Sequence, residues 1–203
     1  MSTPEGVAMK TFSLIAAGLA ALSLAACNQA APQAGAAETP GPAAAREERN
    51  PLDLRRTTLL VRDLEASLAL YRDAMGMTVS YDQMITSRDG SSQSRLVLLK
   101  ANDDQIGMLG LWQLANAGDA PPPDVPETGF ETGDIVLLFN TSELDTVFPA
   151  AAEVPGVRVM SEPTLREYPG DGVTYQVMVS MLRDPDGHIV ELNRRVHPPL
   201  DWD

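Results

Sequence analysis

Cysteine and lysine are almost missing from this chain. Cys27 is its one cysteine, so no intrachain disulfide can form and the folded part must hold together through its core. Beyond Lys10 the only lysine is Lys100, and the formal net charge is −13. A surface of that sign repels polyanions, which argues against nucleic acid and against anionic lipid headgroups as partners. Long apolar runs are missing too: the stretch from Leu14 to Leu24 is too short for an ordinary transmembrane helix. Nor is there a Gly-rich phosphate loop, or a Ser-His-Asp or Cys-His set that would argue for nucleophilic catalysis.

What the N-terminus does have is an export signal. From Met9, which is an alternative start, a basic Met-Lys-Thr-Phe leads into the short apolar stretch and then into Leu24-Ala25-Ala26-Cys27. Leu-Ala-Ala-Cys resembles the lipobox of bacterial lipoproteins. That resemblance implies cleavage after residue 26, acylation of Cys27, and anchoring in a lipid bilayer by several acyl chains. Asn28 is not the Asp that retains many such proteins in the inner membrane, so the expected location is the cell envelope, facing the periplasm, with the outer membrane favoured. Residues 27–51 are rich in Ala, Pro, Gly, Gln and Glu, which reads as a disordered tether. Residues 52–197 are long enough for one well-cored domain, followed by a short tail, 198–203.

Within that domain the same plan runs twice. Thr57–Val61 is β-branched and apolar, Asp63 suits a helix N-cap, and Leu64, Leu68, Tyr71 and Met75 recur at helical spacing up to Gly76, a natural C-cap. Strand-like runs follow at 78–85, 95–101 and 106–113, Arg95 marking the exposed end of one. A Pro- and Gly-rich connector, 118–129, separates this half (about 55–117) from the second (130–196). There a strand at 134–139 precedes a helix with Ser142 and Asp145 placed as a capping box and with Pro149 expected to kink or shorten it. Strands at 157–160, 174–183 and 189–194 complete the half, with Pro163 and Pro169-Gly170 predicting an irregular stretch after the first of these. The order is β-α-β-β-β each time, and pattern alone leaves open whether it is a true repeat or a chance parallel in an α+β protein.

The second half ends on Arg183-Asp184-Pro185-Asp186-Gly187-His188-Ile189-Val190-Glu191-Leu192, a strand, a tight turn and a strand. Alternation along the last strand puts Glu191 on one face with Ile189 and Asn193. A carboxylate on a half-buried strand is costly unless paired, hydrogen-bonded or bound to a metal. His188 reads as a solvated turn residue, and His197 lies in the Pro-rich tail.

The run Val61-Arg62-Asp63-Leu64-Glu65-Ala66-Ser67-Leu68-Ala69-Leu70-Tyr71-Arg72-Asp73, with Met75-Gly76-Met77, resembles the opening of the vicinal oxygen chelate superfamily of glyoxalase I, bleomycin-resistance proteins and extradiol dioxygenases. The Asp184–Leu192 segment resembles its closing motif. This resemblance implies an α+β fold in which two βαβββ modules pair curved mixed sheets around a cleft. It also implies a divalent metal (nickel, zinc, manganese or iron) held by four side chains, one near the start and one near the end of each module. Carried over, those positions fall on Arg56, Gly110, Asp134 and Glu191. Only the last two are metal ligands in kind, so the expectation of a metal rests on Asp134 and Glu191 alone and a metal-free cleft is favoured. Arg56, Asp134 and Glu191 would close the empty site as an ion-pair cluster, or Arg56 would grip an anionic group on a ligand. Met108 and Trp112 share the strand face of Gly110 and, if that face is the cleft's, line it together with Asn193, core packing being the commoner role for both; Tyr168 and Tyr175 would supply hydroxyls that nothing in the sequence orients.

Three functions follow as expectations. The first is a small-molecule binder with a degenerate metal site. The second is a metal-dependent lyase, isomerase or dioxygenase of the glyoxalase type, and the third a catalytically inert scaffold. The same repeat serves self-contained clefts and clefts shared in a homodimer.

Overall fold

The computed structural model describes residues 52–200 except 123, 127 and 128. The expected export signal, Cys27 and the whole of the expected tether, 27–51, therefore lie outside the described residues.

In the first module β1 (Arg56–Leu60) leads through Asp63 into the helix α1 (Leu64–Leu68). Asp63 Oδ1 accepts from the backbone N–H groups of Glu65 and Ala66 at 3.0 and 3.2 Å, which satisfies donors the helix start would leave open. The helical spacing of Leu64, Leu68, Tyr71 and Met75 predicts an α-helix to Gly76. Instead Ala69–Ala74 forms a π-turn, with Met75 N–H donating to Leu70 O at 2.9 Å. The wider turn carries Leu70 and Tyr71 into the core together, while Met75 stays partly exposed. Gly76, at φ 77°, reverses the chain as expected of a C-cap. Strands β2 (Thr78–Thr86), β3 (Gln93–Lys100) and β4 (Met108–Gln113) then form a sheet in the order β1-β4-β3-β2, with β1 and β4 parallel.

The second module repeats this with β5 (Val136–Asn140), α2 (Leu144–Ala152), β6 (Arg158–Pro169), β7 (Thr174–Arg183) and β8 (Ile189–His197), in the order β5-β8-β7-β6. Pro149 lies inside the helix, as the sequence places it, and α2 ends three residues later at Ala152. Two local expectations need correction. The Ser142–Asp145 capping box does not form: Glu143 is the N-cap residue, and its N–H is taken by Thr141 Oγ1 at 3.0 Å. And β6 continues to Pro169 rather than stopping at Met160. It is the outermost strand, and Pro163 falls within a register shift between Ser161 and Thr164, where no ladder N–H is required of it.

Each sheet turns one face to the helices. Leu59, Val61, Val97, Leu99, Leu109 and Leu111 of the first module join Leu182, Val190 and Leu192 of the second around Leu68, Tyr71, Leu144 and Phe148. One core therefore serves both modules. The opposite face of each sheet is open: along β1 it presents Arg56, Thr58 and Leu60, along β5 Val136, Leu138 and Asn140. Leu60 and Leu138 remain 56% and 54% exposed, so the large side chains of these inner strands are not spent on packing.

Candidate functional site

The open faces hold the residues singled out above, but the structure distributes them. Register across the second sheet places Ser161, Met181, Glu191 and Leu138 in one cross-strand row, and Thr164, Val179, Asn193 and Asn140 in the next. Glu191 and Asn193 are thus neighbours on one face, and Asn193 Nδ2 donates to Glu191 Oε1 at 2.7 Å. The Asn193 Oδ1 atom is buried without a partner among the described residues.

Arg56 and Met108 meet across β1 and β4 and line a recess of about 240 Å³ with Leu54, Val136 and Leu138. Arg56 is exposed and makes no ion pair among the described residues. Trp112 lies elsewhere, lining a recess of about 580 Å³ with Ile85, Leu114 and Asn116 while its Nε1 donates to Ser94 Oγ at 3.0 Å. Gly110 offers no donor, and its space is occupied: a Cβ there would come within 2.8 Å of Thr58 Oγ1.

Asp134 lies in the loop before β5, two residues short of the strand. It accepts from the Glu131 N–H at 2.9 Å, and Arg183 Nη2 stands 3.6 Å from its carboxylate. The Arg56–Asp134–Glu191 cluster is therefore corrected: Arg183 holds Asp134, Asn193 holds Glu191, and Arg56 holds neither. As a metal centre the donor set fits poorly. Two of the four family positions carry no donor, the third faces a guanidinium, and no three His, Cys, Asp or Glu side chains gather to hold an ion among the described residues.

The structure adds a polar centre that sequence reasoning missed. Asp184 is buried, and its carboxylate accepts from the Tyr71 hydroxyl at 2.8 Å and from the backbone N–H groups of Asp186 and His188 at 2.9 and 2.8 Å. His188 Nδ1 stands 3.1 Å from the same carboxylate, so His188 is not a free turn residue. Next to it Asp186 Oδ1 takes Arg62 Nε at 2.8 Å, and Arg62 Nη2 donates to Pro185 O. The closing turn of the second module is thereby fastened to the start and the helix of the first. Burial pushes the Tyr71 phenol well above its ordinary range, and Asp184 adds to the effect, so the hydroxyl stays a donor. The one clue in the sequence was the charged Arg183-Asp184 pair ending an apolar strand.

His188 makes stability pH-dependent. Burial opposes protonation of its ring, but the hydrogen bond and the charge of Asp184 outweigh this and raise its pKa above the ordinary 6.5. A raised native value contributes stability that is fully present below the unfolded pKa and lost as pH rises through the native one. The urea midpoint is expected to fall between pH 6 and pH 8.5, and His188→Asn to flatten that fall. An equal fall in the variant would assign it to other groups.

Among solved structures, similar chains include a glyoxalase family protein from Bacillus cereus (12% identity, 75% of this chain and 99% of that one, TM-score 0.48). A trypanothione-dependent glyoxalase I from Leishmania major is similar at 16% identity over 70% of this chain and 85% of its own, TM-score 0.47. An antibiotic-binding protein from Streptomyces is similar at 20% identity over 73% and 99%, TM-score 0.44. No curated protein matches the chain. The family model of the Glyoxalase/Bleomycin resistance protein/Dioxygenase superfamily matches residues 53–192, the span that folds into the two βαβββ modules, and the chain belongs to that superfamily.

Proposed function

We propose that this chain binds a small organic molecule on the open faces of its sheets, with a metal site degenerated past use. It does so as a lipoprotein anchored through Cys27 at the periplasmic side of the envelope. The observation that carries the binding reading is the fate of the four family ligand positions: a guanidinium at Arg56, a space filled by Thr58 at Gly110, a carboxylate facing Arg183 at Asp134, and a carboxylate hydrogen-bonded by Asn193 at Glu191. Exposed apolar side chains beside these positions, Leu60, Val136 and Leu138, suit the body of an organic ligand. The metal-dependent lyase, isomerase or dioxygenase reading keeps one supporting observation, a Glu191 carboxylate on the open face.

Metal analysis of the purified chain, paired with thermal melts in nickel, zinc, manganese and ferrous iron, separates the two. The expected result is no stoichiometric metal and no ion-specific rise in melting temperature. A bound ion whose stabilising shift disappears in Glu191→Ala would overturn the reading in favour of the enzyme. The mass of the mature N-terminus tests the anchor, since an unmodified Cys27 would remove it.

A further inference from the structure

The arginines of the described chain divide by position. Those at the helices and between the modules are paired: Arg62 with Asp186, Arg72 with Asp73, Arg95 with Asp82 and Glu65, Arg194 with Asp145, and buried Arg183 with Asp134. Arg95 thus does more than mark a strand end. On the open face of the second sheet, Arg166 and Arg195 have no carboxylate partner among the described residues, and the same is true of Arg56 and Arg158 and of the loop residues Arg55 and Arg88. In a chain of net charge −13 a shortage of carboxylates does not explain this. Loop cations are ordinarily solvated. Arg166 and Arg195 differ because they stand in register.

Val177 lies opposite Arg166 on one side and opposite Arg195 on the other, which makes Arg166–Val177–Arg195 a single cross-strand row. Opposed residues share a face, and two strand spacings put the arginine Cα atoms about 10 Å apart with only a valine between. Long side chains at that separation can converge on one group lying over Val177. The flanking row is Tyr168 opposite Tyr175, and the guanidinium carbon of Arg195 sits 5.1 Å from the Tyr175 ring centre. Tyr175 in turn lies against Gly170, where a Cβ would come within 2.3 Å of its Cε2. Arg195 is therefore steadied by a ring instead of a carboxylate, and its charge and forked N–H edge stay available. A recess of about 300 Å³ runs along this face, lined by Phe130, Thr164, Arg166, Tyr168, Val179 and Met181 among others. Glu191, the acidic residue on this face of β8, is four residues from Arg195, about 13 Å along the strand, too far to neutralise it.

We propose that this face takes an anionic small molecule, its carboxylate, phosphate or sulfonate group between Arg166 and Arg195 and its apolar or aromatic body along Val177, Val179 and Phe130. The proposal rests on the small-molecule reading above and adds to it the place and the charge of the ligand.

Two probes of one skeleton test it: naphthoate and the neutral naphthalenemethanol, titrated calorimetrically into the full-length chain at low salt. Naphthoate is expected to bind about tenfold more tightly, as charge-assisted hydrogen bonds from two arginines imply. Arg166→Gln with Arg195→Gln should close that gap and leave naphthalenemethanol binding unchanged, while Arg88→Gln should leave the gap intact. Equal binding of both probes, or a gap that survives the double variant, would overturn the anion site while the small-molecule reading stands. Binding of neither probe would remove both.

Discussion

Asp184→Ala is expected to cost about 3–5 kcal/mol of stability, the range for removing one partner of a buried, hydrogen-bonded charge centre. The side chain is fully buried and serves four donors: the Tyr71 hydroxyl, two backbone N–H groups and the His188 ring. Alanine would leave each of them without its acceptor, in a place water reaches poorly. Tyr71→Phe removes one of these bonds and keeps the ring in the core, so about 1 kcal/mol is expected. Urea denaturation of both variants at pH 7 decides the matter. If the two midpoints shift equally, Asp184 is one hydrogen-bond acceptor among many and not the centre of the closing turn.

The second large effect is expected at Arg183, which is 1% exposed. Its Nη1 donates to Gly187 O at 2.8 Å and its Nη2 to Gly129 O at 3.3 Å, so it ties the β7–β8 turn to the connector between modules. Its Nε has no partner among the described residues, and the contact to Asp134 is long at 3.6 Å, so these contacts compensate the ion incompletely. Two effects compete in Arg183→Met: relief of a buried charge and loss of bonds to two carbonyls. The carbonyl bonds should win, because both carbonyls lose a charged donor and methionine replaces only the packing, giving a net loss of about 2–4 kcal/mol. A cycle with Asp134→Asn should return a coupling of only about 1 kcal/mol, given that Asp134 is partly solvated. A neutral Arg183→Met would mean that desolvation dominates and that the connector needs no such tie.

Much of the fold could be read from side-chain periodicity, because burial on one face leaves a direct mark on the sequence. The Thr57–Val61 strand, the Asp63 cap and the Gly76 reversal follow from local rules that tertiary contacts did not override. The full length of β6 was hidden because Pro163 signals a break, and only its place at the sheet edge makes a proline harmless there. The π-turn was hidden because Leu70 and Tyr71 are adjacent in sequence, and a regular helix would separate them by 100°. At the site, Glu191 and Asn193 were legible as strand neighbours and are indeed joined. The partner of Asp134 was not, because Arg183 approaches from another strand and no spacing rule connects the two. The Arg166–Arg195 row escaped for the same reason: it exists only after three strands are laid in register.

The fastening of one module to the other also bears on the order in which the molecule can be finished. Tyr71 and Asp184 are 113 residues apart in the chain, and Arg62 and Asp186 are 124 apart. A growing chain that has delivered the whole first module still lacks the acceptor for its buried tyrosine, as well as Leu182, Val190 and Leu192 of the common core. Contacts of such separation form late, and until then apolar surface stays uncovered. The first half is thus not a folding unit that waits for a second. Truncations ending before the closing turn should yield aggregates instead of half-size domains, and any chaperone that guards this chain must hold it almost to its last strand.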